Sequence, residues 1–256
     1  MKKLVAALIG ALVISSTPFA CATNTTHPSL SGNQAKAGGT IVDVSIPTTI
    51  LNTPLTDENG KSFTLNSLKG KTVVLTDFMT TCNDICPMTT VNMRDMAAHF
   101  KAKGVASTIV GLELSIDAKR DSASRMKVYQ NLYGSSDWTL ATSTDANLQK
   151  LWKWFGVYTK VVPSDEGVTD WQTGKPVTYD IDHADVVIVI GPDLHWRYLN
   201  LASPAVTNPK APNVLPAKIK AFLSESGKVN LLQPAQPFWT PASVYSALNE
   251  IYGLSL

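Results

Sequence analysis

Two cysteines and one distant histidine are the residues of this chain best suited to chemistry. Cys82 and Cys86 stand at i and i+4 in the string Thr81-Cys82-Asn83-Asp84-Ile85-Cys86-Pro87, and His183 closes the string Asp180-Ile181-Asp182-His183 far downstream. Thiolate sulfur and imidazole nitrogen are soft and borderline donors, a set that can hold a copper ion. The two thiols alone can also form and break a disulfide. Both chemistries stay open at this point. The bland alternative is a pair of small side chains buried in a core. The chain has only three cysteines, and two of them at this spacing argue against it.

The elements around these residues follow from pattern. Thr72 to Phe78 is a short, apolar, β-branched run that reads as a buried strand, parallel because a helix follows. Pro87 suits the first turn of a helix, and Met93, Met96, Ala97 and Phe100 recur as one apolar face closed by Gly104. The cysteines therefore lie where a strand ends and a helix begins. Unpaired N–H groups and positive partial charge at a helix N-terminus favour thiolate over thiol. At this spacing the two sulfurs are expected to face one side of a single helical turn.

Further along, Ser107 to Leu114 reads as a second strand, and Asp121 as the N-cap of a helix from Ser122 to Tyr133. Leu148, Leu151, Trp152 and Phe155 mark a third helix. Val186 to Ile190 and His195 to Leu199 read as strands joined by a turn at Gly191-Pro192-Asp193. Thr240-Pro241 caps a last helix with Val244, Leu248, Ile251 and Tyr252 inward. Ahead of all this, Pro54 to Leu68 reads as a hairpin turning at Glu58-Asn59-Gly60. The order describes an α/β, thioredoxin-like sandwich over residues 45–256, with an N-terminal β-hairpin. Residues 203–238, rich in proline, interrupt it as an insertion before the last helix. They are expected on the surface with one helical stretch, Pro216 to Ser224. In this topology His183, on a loop entering the strand at Val186, is aimed at the cysteines and is the best third ligand.

The N-terminus has the form of an export signal over residues 1–22: Lys2 and Lys3, then an apolar run from Leu4 to Ile14 that is short for a membrane span. Two processing routes fit. Ala20-Cys21-Ala22 suits a cut before Thr23, and Pro18-Phe19-Ala20-Cys21 suits a lipobox that would leave Cys21 lipidated. Residues 23–44, of which 23–39 are polar and without apolar periodicity, are expected to form a flexible tether carrying His27. The chain is therefore expected in a periplasm or on the outer face of a cytoplasmic membrane, where an N-terminal anchor could hold it at the membrane surface. The net charge of +2 excludes a nucleic-acid footprint. At 44% apolar and 16% charged, the composition is that of a folded protein.

At these residues the chain resembles the Sco (SenC) proteins. That family shares a Cys-x-x-x-Cys-Pro motif after a buried strand and a downstream Asp-His motif, which Cys82 to Pro87 and Asp182-His183 match. Ser115-Ile116-Asp117-Ala118-Lys119-Arg120-Asp121 is similar to the family's Ser-Val-Asp-Pro-x-Arg-Asp segment, and Trp138 to Thr142 and Phe155 to Tyr158 fall where it has similar strings. The likeness covers residues 46–200 and the last helix. It implies a thioredoxin-like, membrane-tethered protein that binds copper, as Cu(I) or Cu(II), through Cys82, Cys86 and His183. It also implies help in building the binuclear copper centre of cytochrome c oxidase. The implied partner is the oxidase subunit that carries this centre, or another copper chaperone. This chain departs from the family at Asn83, where a proline is frequent, at Ala118, and in two long segments, 163–178 and 203–238.

Two functions follow. A metallochaperone delivering copper needs all three residues, whereas a thiol-disulfide reductase, with Cys82 and Cys86 as its redox pair, could dispense with His183. A peroxidase of the peroxiredoxin type needs a Pro-x-x-x-Thr-x-x approach to its cysteine, which the residues before Cys82 do not supply. Structural zinc would want a fourth ligand. Met79 and Met88 could lend thioether sulfur but are expected to pack in the core, and His99 and His195 to be ordinary helix and strand residues. Asp77, Asp84 and Asp182 are candidates to orient the ligands.

Overall fold

A strand buried on both faces needs partners on both edges, and Thr72 to Phe78 has them. In the computed structural model, which describes Pro28 and residues 30–256, all seven of these residues are buried. The chain begins with β1 (Gly32–Gln34), β2 (Thr40–Ser45) and a single turn, α1 (Thr48–Leu51). The hairpin β3 (Leu55–Asp57) and β4 (Ser62–Phe63) follows, turning at Gly60 as expected. Then β5 (Thr72–Phe78), α2 (Cys86–Ala102), β6 (Ile109–Ser115), α3 (Ala123–Leu132), β7 (Thr139–Thr142) and α4 (Asp145–Trp154) alternate. The hairpin β8 (Thr159–Pro163) and β9 (Tyr179–His183) precedes β10 (Val187–Ile190) and β11 (His195–Asn200). Finally come β12 (Ser203–Pro204), α5 (Ala217–Phe222), α6 (Glu225–Leu232), β13 (Phe238–Trp239) and α7 (Pro241–Tyr252).

Nine strands form one sheet in the order β1-β2-β11-β10-β5-β6-β7-β3-β4. At its centre β5 runs parallel to β6 and antiparallel to β10, and β10 runs antiparallel to β11. With α2 crossing β5 and β6, and α7 beside α2, this is the thioredoxin-like arrangement that the element order implied. The apolar face of α2 is buried as patterned: Met93, Met96 and Phe100 are at most 1% exposed. Each such side chain contributes roughly 1.5–3 kcal/mol of burial. Gly111 of β6 lets α2 come close, since a Cβ there would meet Met93 Sδ at 2.4 Å.

Several expectations need correction. Residues 23–44 are not all tether: β1 and β2 pair with each other, and β2 pairs with β11 along the edge of the main sheet. Their edge position explains the error, because a half-exposed strand lacks a continuous apolar run. Residues 1–22, Cys21 and His27 lie outside the described residues. Asp121 does not cap α3; Ser122 does, accepting from Arg125 N–H. The short β7 and the polar pair β8–β9 carry too little alternation to be read from sequence. The segment 203–238 is more than a surface layer. It contains two helices, α5 and α6, and buries Val214, Leu215, Ile219, Leu223 and Leu231. Its ends close through the parallel pair β12–β13.

An ionisable group lies deep beneath α2. Glu113 of β6 is fully buried and accepts from Thr90 Oγ1 at 2.9 Å and Trp138 Nε1 at 2.7 Å. Burial pushes its carboxyl from 4.5 up to about 8, against the pull of these two donors. Across that window the folded protein keeps a proton that the unfolded chain releases, so Glu113 makes stability fall as pH rises. Unfolding midpoints in denaturant, measured between about pH 5 and pH 8, are expected to show Glu113→Gln losing a slope of roughly 1 kcal/mol per pH unit relative to wild type. Parallel profiles would show that the proton resides elsewhere.

Candidate metal centre

The site is assembled by sheet register. β10 lies antiparallel to β5 with Thr76 opposite Val187, which brings the C-terminal end of β5 to the chain entering β10. Asp77 closes the junction. Its Oδ1 accepts from Val186 N–H at 2.9 Å, and its Oδ2 stands 2.8 Å from His183 Nδ1. The latter approach is an ion-pair contact rather than an aligned hydrogen bond, since neither atom finds a hydrogen-bond partner. The imidazole is thereby turned so that Nε2 points the other way, 3.7 Å from Cys86 Sγ. His183 is the last residue of β9 and not a loop residue as expected; its side chain is 6% exposed.

The cysteines also sit differently from the expected helical turn. Cys86 is the first residue of α2, whereas Cys82 lies in the preceding loop. The loop folds back so that Cys86 N–H, free at the helix start, donates to Cys82 Sγ at 3.3 Å. Both are free thiols and both are buried. Together with His183 they offer two sulfurs and one ring nitrogen, all within 4.8 Å of one another. Donors bonded to one first-row ion at about 2.0–2.3 Å lie less than about 4.6 Å apart, so the set is close to the spacing that a soft or borderline cation requires. Among the described residues, a second group of this kind is Asp77, His183 and Asp185, which shares the same imidazole.

The two thiols are electrostatically unlike. The side-chain hydrogen bond from Cys86 holds the Cys82 thiol down at about 5, with burial opposing and His183 assisting. Burial pushes Cys86 well above the usual thiol range, and the Cys82 thiolate adds to that. Burial alone would lower His183, but Asp77 and then Cys82 outweigh it and raise the imidazole well above its ordinary value. In the metal-free site these directions favour a Cys82 thiolate beside a protonated His183, with Cys86 as a thiol. A cation would displace the protons of Cys86 and of His183 Nε2, so binding tightens as pH rises.

A polar network holds the approach to Cys82. Asp121 accepts from Thr80 Oγ1 at 2.5 Å, Thr80 N–H at 3.1 Å and Ser115 Oγ at 2.6 Å. Arg125 Nε donates to Thr80 Oγ1 at 2.6 Å and its Nη2 pairs with Asp170 at 2.6 Å. Arg120 pairs with Asp117 and donates through Nη1 to Tyr179 O at 2.7 Å, just ahead of His183 on β9. The Ser115–Asp121 segment thus braces both the thiol loop and the histidine strand.

Of the three candidate orienting carboxylates, Asp77 reaches His183. Asp182 is exposed, and Asp84 turns away to accept from Asn230 Nδ2 at 2.7 Å. Sequence reasoning missed Asp185, 3.9 Å from His183 Nδ1. Its signal was present, because residues i and i+2 share a face of extended chain. Met79 and Met88 are buried in the core, at 2% and 0% exposed. His99 stacks on Tyr245 at 4.3 Å, and His195 Nδ1 contacts Asp43 at 2.6 Å, so both have structural partners.

A family model described as SCO1/SenC matches residues 52–209. Among curated proteins, the chain is 30% identical over 139 residues to a Stutzerimonas stutzeri protein named "Putative copper-binding protein", covering 54% of this chain and 62% of that one. It is 35% identical over 89 residues to the "SCO1 protein homolog" of Bacillus subtilis, covering 34% of this chain and 45% of that one. Its alignments thus span less than two thirds of either relative's own length. Among solved structures it is similar to Bradyrhizobium japonicum ScoI with copper bound, at 26% identity and a TM-score of 0.47, covering 66% of this chain and 96% of that one.

The thiol asymmetry is directly measurable. Thiolate absorbance of the reduced, metal-free protein is expected to rise in one step near pH 5 for Cys82. Cys86→Ala removes the leading donor and is expected to move that step upward, toward the ordinary cysteine value. An unmoved step would show that Cys86 does not set the Cys82 thiolate.

Proposed function

This chain belongs to the SCO1/SenC family, and from that premise we propose that it is a copper-binding metallochaperone of the cell envelope. It delivers copper to the binuclear copper centre of cytochrome c oxidase, directly to the subunit that carries the centre or through another copper chaperone. The observation that carries this reading is the convergence of Cys82 Sγ, Cys86 Sγ and His183 Nε2 on one buried point. Two thiolates suit Cu(I), and the added imidazole also makes the site acceptable to Cu(II). Asp77 supports the role by keeping the Nδ1 side of His183 turned away from the cation. The signal-like pattern of residues 1–22, with or without lipid at Cys21, supports export to the side of the membrane where such a centre is assembled.

The thiol asymmetry favours a second reading, a thiol-disulfide reductase that keeps the cysteines of a copper-receiving protein reduced. In that step the Cys82 thiolate attacks the partner's disulfide, forming a mixed disulfide and releasing one partner thiolate. Cys86 then loses its proton and attacks Cys82, which leaves the second partner thiol and an oxidised Cys82–Cys86 pair. The partner gains two electrons and this chain loses them.

The two readings separate at His183. Copper titration in competition with a chelator is expected to show Cys82→Ser, Cys86→Ser and His183→Ala each losing affinity by on the order of a hundredfold or more, and Asp77→Asn by roughly ten- to a hundredfold. If His183→Ala binds copper as wild type does, the three-donor site is wrong. If neither protein binds copper while both reduce disulfides, the reductase reading replaces the chaperone.

A further inference from the structure

Cys82 lies outside any strand or helix, so its sulfur stays where the flanking backbone puts it. Upstream, Thr80 is fixed by Asp121 and Arg125, and its carbonyl accepts from Trp171 Nε1 at 2.6 Å. Downstream, the holding groups come from the insertion. Ser224 N–H, at the start of α6, donates to Asn83 O at 2.8 Å. Asn230, two turns on, donates through Nδ2 to Asp84 Oδ1 at 2.7 Å. Gly227 stands between them against bare backbone: a Cβ there would meet Asn83 O at 2.4 Å and the Cα and O of Asp84 at 3.1 Å. A cleft of about 530 Å³ runs along the same side, lined by Asn83, Asp170, Trp171, Lys218, Phe222 and Ser224. Both long segments of this chain therefore end on the backbone around Cys82.

We propose that α6 is a clamp that holds the loop 82–86 closed over the two thiols, with Gly227 and Asn230 as positioning residues for Cys82. The inference rests on the reading that this thiol pair is the functional site. Two hydrogen bonds fix the loop's backbone and one of its side chains, and the missing side chain at Gly227 lets the helix approach to contact distance. Asn83 and Asp84 belong to the clamped stretch, so the loop gains from α6 the stiffness that a proline after the first cysteine would otherwise lend. With the clamp in place the thiols stay buried, at 5% and 1% exposed. Loosening it lets the loop open and frees Cys82 to leave the shared point.

The test uses the full chain, reduced and metal-free, and follows alkylation of Cys82 by iodoacetamide beside the thermal midpoint. Gly227→Val pushes the loop outward, and Asn230→Ala removes one anchor without adding bulk. Each is expected to speed alkylation by about fivefold or more and to weaken Cu(I) binding to a similar degree. Leu148→Ala, which cuts the core under α4, outside the insertion, and lowers the midpoint, is expected to alkylate at close to the wild-type rate. Wild-type rates in both Asn230→Ala and a folded Gly227→Val would overturn the clamp. So would equal acceleration by Leu148→Ala, since general loosening would then be the cause. Faster alkylation in the two clamp variants of a protein that binds no copper would uphold the clamp and remove the copper reading alone.

Discussion

One carboxylate ties this site to its sheet. Asp77 is the penultimate residue of a strand whose seven residues are all buried, and it faces the chain entering the antiparallel neighbour. With one oxygen it accepts from Val186 and with the other it meets His183. The histidine and the cysteines are far apart in sequence, and register alone makes them neighbours. A shift by one residue would turn Asp77 to the other face and take the imidazole out of reach. Residues on β5 and β10 that never approach the metal point thus decide whether it exists.

The charge pattern follows from that placement. A buried carboxylate favours a protonated histidine, the histidine favours a thiolate at Cys82, and that thiolate disfavours a second one at Cys86. The apo site carries its protons on the groups that a cation would displace, and one sulfur is ready as a nucleophile or ligand. The same electrostatics serves metal capture and disulfide exchange, which explains why the two readings share residues. Burial of such charges is costly unless they are paired. Asp121 and its donors, the pairs Arg120–Asp117 and Arg125–Asp170, and the insertion all fix the surrounding backbone so that the pairing persists.

Much of this was legible in the residues. The β5–α2 junction, the central parallel pair, the hairpin at Gly60 and the placement of His183 beside the cysteines all follow from apolar period, turn chemistry and topology. Less legible was anything that depends on an edge or on a contact between distant polar groups. β1 and β2 read as tether because a half-exposed edge strand has no core-facing run on both sides. Asp121 looked like a helix cap because Asp before a helix usually is one. Here Ser122 takes that role, and Asp121 turns inward to Thr80 and Ser115. Asp185 could have been found from its spacing to His183. Nothing local marks Gly227, whose importance comes from the backbone it faces.

The central claim is that two sulfurs and one imidazole nitrogen meet at one point. X-ray absorption at the copper edge, on protein loaded with a single equivalent, reads that donor set directly. Two sulfur neighbours and one histidine nitrogen are expected at bonding distance, with the imidazole signature absent in His183→Ala. A spectrum with sulfur neighbours alone in the wild type, or with nitrogen and oxygen neighbours and no sulfur, would contradict it.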